Sequence, residues 1–183
     1  MPAILTEQDL IKKCCQGDRA SQRQIYQNYA GKMMVIAMRY MKSKQEAEDI
    51  VQESFIKVFT KLETFNQESQ LKTWITRIVI NTALNAIRKP LWLEDIEKVP
   101  EEHAESEDIS LAEFHWQELI SFIQALPTGC QTVFNLYAIE GYSHKEIAKL
   151  LGVSEGTSKS QYARAKSILR EIITRENGGY ETA

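Results

Sequence analysis

Chain breakers are scarce: the 183 residues include eight glycines and four prolines, roughly half the usual share. So few interruptions favour helices over a turn-rich sheet protein. No apolar run approaches the ~18 residues of a membrane span. The N-terminus lacks the basic, apolar and small-residue order of a secretory signal, so a cytoplasmic protein is expected. Three cysteines (Cys14, Cys15 and Cys130) form neither a disulfide framework nor a metal-ligand spacing, and reduced thiols are expected. His103, His115 and His144 fall in separate segments, with no Ser–His–Asp or Cys–His spacing around them. Catalysis has little foothold, and no metal or cofactor is expected.

What is present describes an ordinary globular chain, 43% hydrophobic and 26% charged. Its length fits one large domain or two small ones. The net charge of −3 conceals a division. Met1–Lys89 carries 14 basic and 9 acidic side chains, Pro90–Phe122 carries 1 and 10, and Ile123–Ala183 carries 7 and 6. Two mildly basic ends flank an acidic middle, so the whole-chain charge, which alone argues weakly against a nucleic-acid partner, describes none of the parts.

The first half reads as four helices. Thr6 opens one whose stripe is Leu10, Ile11, Cys14 and Cys15, closed by Gly17. Asp18 caps a second, with Ile25, Tyr26, Tyr29, Met33, Ile36, Ala37 and Tyr40 on one side. Ser43 and Glu46 make a capping box for a third, whose stripe runs from Ala47 through Ile50, Val51, Ser54, Phe55, Val58 and Phe59 to Leu62. The polar stretch Asn66–Gln70 precedes a fourth helix, Leu71–Lys89, which Pro90 should stop. Pro90–Ile109 has two prolines, an acidic run and no sustained period, so it reads as a linker. Ser110 with Glu113 starts the next helix, and Pro127 interrupts before one carrying Val133, Phe134 and Tyr137 up to Gly141. A further capping box, Ser143 with Glu146, opens a short helix ended by Gly152, and Ser154 caps the last. No strand candidate occurs, so the expected fold is all-α in two small helical domains.

Three constellations stand out. Ser143–Lys166 has the parts of a helix–turn–helix: Ala148 where the helices cross, Gly152 in the turn, and an outward face of Gly156, Lys159, Ser160, Ala163 and Arg164. Ser158 occupies the position where an aliphatic contact is expected, and its hydroxyl could bond to an earlier carbonyl. The same segment also suits a plain helical hairpin. On the fourth helix Arg77, Asn81, Asn85 and Arg88 form one polar stripe, with Trp74 a turn earlier. Carboxamides read base edges, arginines hold phosphates and an aromatic stacks on an unpaired base. A solvated face beside a core tryptophan has the same pattern. Asp49, Gln52 and Glu53 share the exposed side of the third helix and suit a basic protein partner. Solvated acids fit equally, and a metal-dependent nuclease would use Glu46, Asp49 and Glu53 as ligands.

Taken together, these segments resemble a bacterial RNA polymerase sigma factor of the extracytoplasmic-function (ECF) group of the sigma-70 family. Ala47–Phe59 is similar to the core-binding helix, Leu71–Lys89 to the −10-reading helix and Leu126–Lys166 to the −35-reading domain. The resemblance implies a sigma2-like domain over 1–89, an acidic linker over 90–109 and a sigma4-like domain over 110–183. It implies docking of Asp49, Gln52 and Glu53 on the β′ coiled coil of the polymerase core. It gives a pocket for a flipped −10 base to Asn81 with Asn66, Gln67, Glu68, Ser69 and Gln70, flanked by Trp74, Arg77, Asn85 and Arg88. The −35 surface falls to Lys159, Ser160, Ala163 and Arg164, and the helix of Val133, Phe134 and Tyr137 lies near the β flap. The partners implied are core polymerase, promoter DNA and an anti-sigma factor. Ser158 stands where the family usually has Val, and Gln161 where it often has Arg, so an unusual −35 preference is expected. The competing functions are a stand-alone helix–turn–helix regulator and the nuclease.

Overall fold

In a computed structural model describing residues 6–91 and 116–178, every regular element is helical. The chain divides into two compact units, Met1–Ala83 and Leu84–Ala183, with the division falling inside the fourth helix.

The first unit is built from α1 (Glu7–Cys15), α2 (Arg19–Tyr40), α3 (Lys44–Lys61), a 3-10 turn at Leu62–Thr64 and the start of α4 (Leu71–Leu91). Its helix starts follow the capping chemistry in the sequence. Thr6 and Asp9 cap each other reciprocally, as do Ser43 and Glu46, while Asp18 accepts from the Ser21 amide at 2.9 Å. Each such cap is worth about 1 kcal/mol. Hydrogen bonds from Ser21 hold the Asp18 carboxyl below the usual carboxylate range. The α3 stripe is buried from Ala47 to Val58, and Leu62 of the turn is buried beyond it. Phe59, assigned to the same stripe, is half-buried and leans on Phe55 at 5.9 Å between ring centroids. On α2 the inward set is Ile25, Met33, Ala37 and Tyr40. Tyr26 stays 40% exposed because it covers the edge of Phe55 at 4.7 Å instead of entering the core.

Helix α4 is stitched to this core by Leu71, Ile75 and Val79, all fully buried. Lys57 Nζ of α3 donates to Thr82 Oγ1 at 3.2 Å. The helix runs through Pro90 to Leu91, two residues past the expected stop. Proline's fixed φ is itself helical, so the last turn passes through Pro90 at the loss of one backbone hydrogen bond. The linker beyond its first two residues and the Ser110–Glu113 start signal lie outside the described residues.

The second unit includes α5 (Trp116–Ala125), α6 (Thr128–Phe134), a π turn at Asn135–Ile139, α7 (His144–Leu151) and α8 (Glu155–Gly178). Pro127 is the N-cap of α6, so the predicted interruption is real. The following helix opens into the π turn, which the sequence reading did not anticipate. Its core gathers Ile123, Leu126, Cys130 and Phe134 against Ala165 and Leu169 of α8. Helix α7 has the third reciprocal cap, Ser143 with Glu146. It ends on Gly152 in the left-handed conformation at φ 73°, where any side chain would strain the backbone. Among the described residues no helix is long and apolar enough to cross a membrane.

Candidate functional site

Three faces carry the predicted residues. On α3, Asp49, Gln52 and Glu53 are all exposed, and Glu53 pairs with Lys57 at 2.7 Å within the helix. Gln52 also borders an open groove of about 360 Å3 between α2 and α3, floored by Tyr26, Gly31, Met34 and Val51. The same face holds Ile56, 68% exposed, which the sequence reading missed. The signal was available: Ile56 falls three and four residues after Glu53 and Gln52, outside the buried stripe. Among the described residues no group of three or more His, Cys, Asp or Glu side chains could hold a metal, so Glu46, Asp49 and Glu53 do not form the nuclease's ligand set.

On α4, Arg77, Asn81 and Asn85 are exposed, while Ile75, Val79, Ile80, Ala83 and Leu84 fill the opposite side. The Arg88 side chain lies outside the described residues. Trp74 is half-buried with its ring 5.3 Å from Phe65, so it is a braced edge and not the freely exposed aromatic expected. The loop before α4 is tight: Gln67 takes φ 59°, uncommon for a residue with a side chain. The Glu68 amide donates to Asn66 Oδ1 at 3.4 Å. Gln67 Oε1 accepts from Gln8 of α1, also at 3.4 Å, so this side chain is turned to α1. Glu68 and Gln70 are exposed and Ser69 is half-buried.

On α8, Gly156, Lys159 and Arg164 are exposed, and Ser160 and Ala163 partly so. Lys159 is held by Glu155 at 2.9 Å, and that contact keeps the Glu155 carboxyl below its ordinary range. Ser160 donates to the Thr157 carbonyl at 3.1 Å. Arg164 is exposed, with its guanidinium fork free to meet carboxylate, phosphate or a base edge from solvent. Ser158 is fully buried, and its hydroxyl lies 2.9 Å from His144 Nδ1 instead of bonding an earlier carbonyl. Gln161 also turns inward, with Oε1 accepting from the Cys130 thiol at 2.9 Å. Burial of Ser158 needs a polar partner, and His144 is the one that α7 brings within reach. Val133 and Phe134 belong to the core, leaving Tyr137 and Ile139 as the exposed large apolar side chains of the segment expected near the flap.

Two family models match the chain: sigma-70 region 2 over residues 25–92 and sigma-70 region 4 over residues 116–169. The chain is similar to the ECF RNA polymerase sigma-E factor of Haemophilus influenzae, 30% identical, covering 94% of this chain and 98% of that protein. The protein of the same name from Escherichia coli is also 30% identical, with 92% and 95% covered. A solved structure of the sigma factor RpoE in complex with the anti-sigma factor NepR from Bartonella quintana matches with a TM-score of 0.52. That likeness has 24% identity and covers 83% of this chain and 96% of that one; at this identity it shows the shared fold.

Proposed function

The chain belongs to the ECF group of sigma-70 factors, transcription initiation factors and not enzymes, and we propose that it works through three surfaces assigned to named residues. The observation carrying the assignment is α4. Three exposed polar side chains at four-residue intervals lie opposite fully buried Ile75, Val79 and Ala83, so a surface able to read bases is held on a helix that cannot roll. Asn81 offers a donor and an acceptor to the edge of one unpaired base. Trp74, braced on Phe65, supplies an aromatic edge, and Arg77 and Asn85 border the strand, with Arg88 continuing the stripe. Residues 66–70 frame the pocket. A base held there offsets the few kcal/mol needed to unstack it.

The α3 face of Asp49, Gln52, Glu53 and Ile56 docks on the β′ coiled coil of core polymerase, acids toward basic partner groups and Ile56 as the apolar centre. Lys159, Ser160, Ala163 and Arg164 of α8 meet the −35 element, with the segment around Tyr137 near the β flap. Residues 1–89 form the core- and −10-binding part, 90–109 the acidic tether and 110–183 the −35-binding part; in support, most of the tether, from residue 93 on, falls between the two family matches. Linking two weak DNA readers raises the effective concentration of the second once the first is bound. The protein acts in the cytoplasm, and an anti-sigma factor is its third partner, the kind of protein bound to the similar Bartonella structure.

Purified protein added to core polymerase should start transcription at discrete promoters on genomic DNA. A stand-alone regulator would bind duplex DNA and start none, leaving the α3 and α4 faces without a role. A nuclease would cut the template in the presence of a divalent metal.

A further inference from the structure

We propose that His144 is a positioning residue for −35 reading, because its bond to Ser158 sets the roll of α8 against α7. The proposal rests on the reading of α8 as the helix that meets the −35 element. Ser158 is fully buried at the crossing of the two helices. A hydroxyl there gives little apolar grip, and the contact made instead is directional: Ser158 Oγ to His144 Nδ1 at 2.9 Å, between residues 14 apart in sequence. His144 is the first residue of α7 and Ser158 the fourth of α8, so the bond ties the start of one helix to the first turn of the other.

The imidazole plane is itself fixed. It stacks on Tyr137 at 4.2 Å with 13° between the rings, and Tyr137 packs against Tyr162 of α8 at 4.6 Å. His144 therefore reaches α8 at Ser158 through the hydrogen bond and at Tyr162 through the rings, directly at 5.9 Å between centroids and also by way of Tyr137. Ser158 and Tyr162 are one turn apart on the same side of α8. Lys159 and Ala163 follow them immediately in sequence, so the outward face moves whenever those two do. A helix with its side chains is about 10–12 Å across, so a roll of about 10° moves an outward group by roughly 1 Å. Base-edge hydrogen bonds tolerate about half that. A loosened joint therefore lowers discrimination between sequences more than it lowers general DNA affinity, which depends on charge.

The test uses holoenzyme assembled from the full chain and core polymerase. Its probe is a promoter fragment that wild-type holoenzyme selects from a random-sequence pool, compared with the same fragment carrying a scrambled −35 segment. The readout is the ratio of the two affinities. His144→Phe keeps a ring to stack on Tyr137 but removes the bond, and should lower the ratio about tenfold. His144→Asn offers a polar atom near the place of Nδ1 and should stay within about threefold of wild type. Ser158→Ala removes the oxygen alone and should match His144→Phe. The double variant should lose no more than either single one, because both changes break the same bond. Should His144→Phe fail to fold, Ser158→Ala against His144→Asn carries the comparison. A wild-type ratio in His144→Phe or Ser158→Ala, or an equal loss in His144→Asn, overturns the proposal. Arg164→Ala is the control for the underlying reading: if it leaves the ratio unchanged, α8 does not read the −35 element, whatever the His144 variants do.

Discussion

Replacing Ile56 with Ala should weaken binding to core polymerase while leaving the fold intact. Full burial of an isoleucine side chain is worth about 1.5–3 kcal/mol. Ile56 still shows 68% of its surface to solvent, so a partner covering it gains about 1–2 kcal/mol. Truncation to Ala should remove most of that and raise Kd roughly 5- to 25-fold. The folded chain should hardly notice. Exposed substitutions away from special features change stability by about 0.5 kcal/mol or less, and Ala is the better helix former. Competition of labelled wild-type protein against the variant for core polymerase measures the affinity, and thermal unfolding followed by circular dichroism checks the fold. Unchanged core affinity at unchanged melting temperature would refute the assignment, because a covered isoleucine cannot be shortened at no cost. If Asp49→Ala with Glu53→Ala nevertheless weakened binding, the contact would be polar and Ile56 would lie at its wet margin.

Asn81→Ala should spare core binding and impair opening of the −10 region. A premelted template should restore part of the activity, since the unstacking cost of a few kcal/mol is then already met; normal permanganate reactivity on duplex promoter would demote Asn81 to a surface amide. Lys159→Ala, if Lys159 exchanges Glu155 for a phosphate, should weaken matched and scrambled −35 sequences alike and flatten the salt dependence of binding; a loss confined to the matched sequence would make it a base contact. Gly152→Ala should destabilise the C-terminal unit by about 1–2 kcal/mol through backbone strain alone, since among the described residues nothing beyond its chain neighbours lies within 4 Å of the added carbon; an unchanged melting temperature would contradict this. Burial, followed by the charge of Lys159, holds the His144 pKa below 6.5, opposed by Glu155. The groups facing it are Lys159, Glu155, Ser158 and Tyr162 on α8 and Tyr137 on the π turn. The unfolded chain therefore takes up the proton first. Full stability is expected above about pH 6.5, with loss as pH falls from there to the folded-state value. His144→Asn should flatten that part of the melting-temperature profile, and an identical slope would refute it.

What a sequence determines by itself follows from the range of the interactions involved. The reciprocal caps Thr6/Asp9, Ser43/Glu46 and Ser143/Glu146 join residues three apart, so the sequence alone located those helix starts. Gly152, Pro127 and the α3 stripe are equally local, because a backbone angle or a 3.6-residue period belongs to the chain itself. The exposure of Arg77, Asn81 and Asn85 followed from the same period. The π turn escaped because Asn135–Ile139 has an ordinary helical composition.

Partners across elements were a different matter. The sequence assigned Ser158 to the inward side of α8 without indicating that His144 meets it. Nor did it indicate that Gln161 turns to Cys130, 31 residues away, or that Gln67 reaches Gln8, 59 residues away. It marked Trp74 as aromatic at the right place, and only packing against Phe65 made it a braced edge. Periodicity says which way a side chain points from its own helix. What stands opposite depends on how helices cross, and that is decided by the simultaneous fit of side chains from several elements.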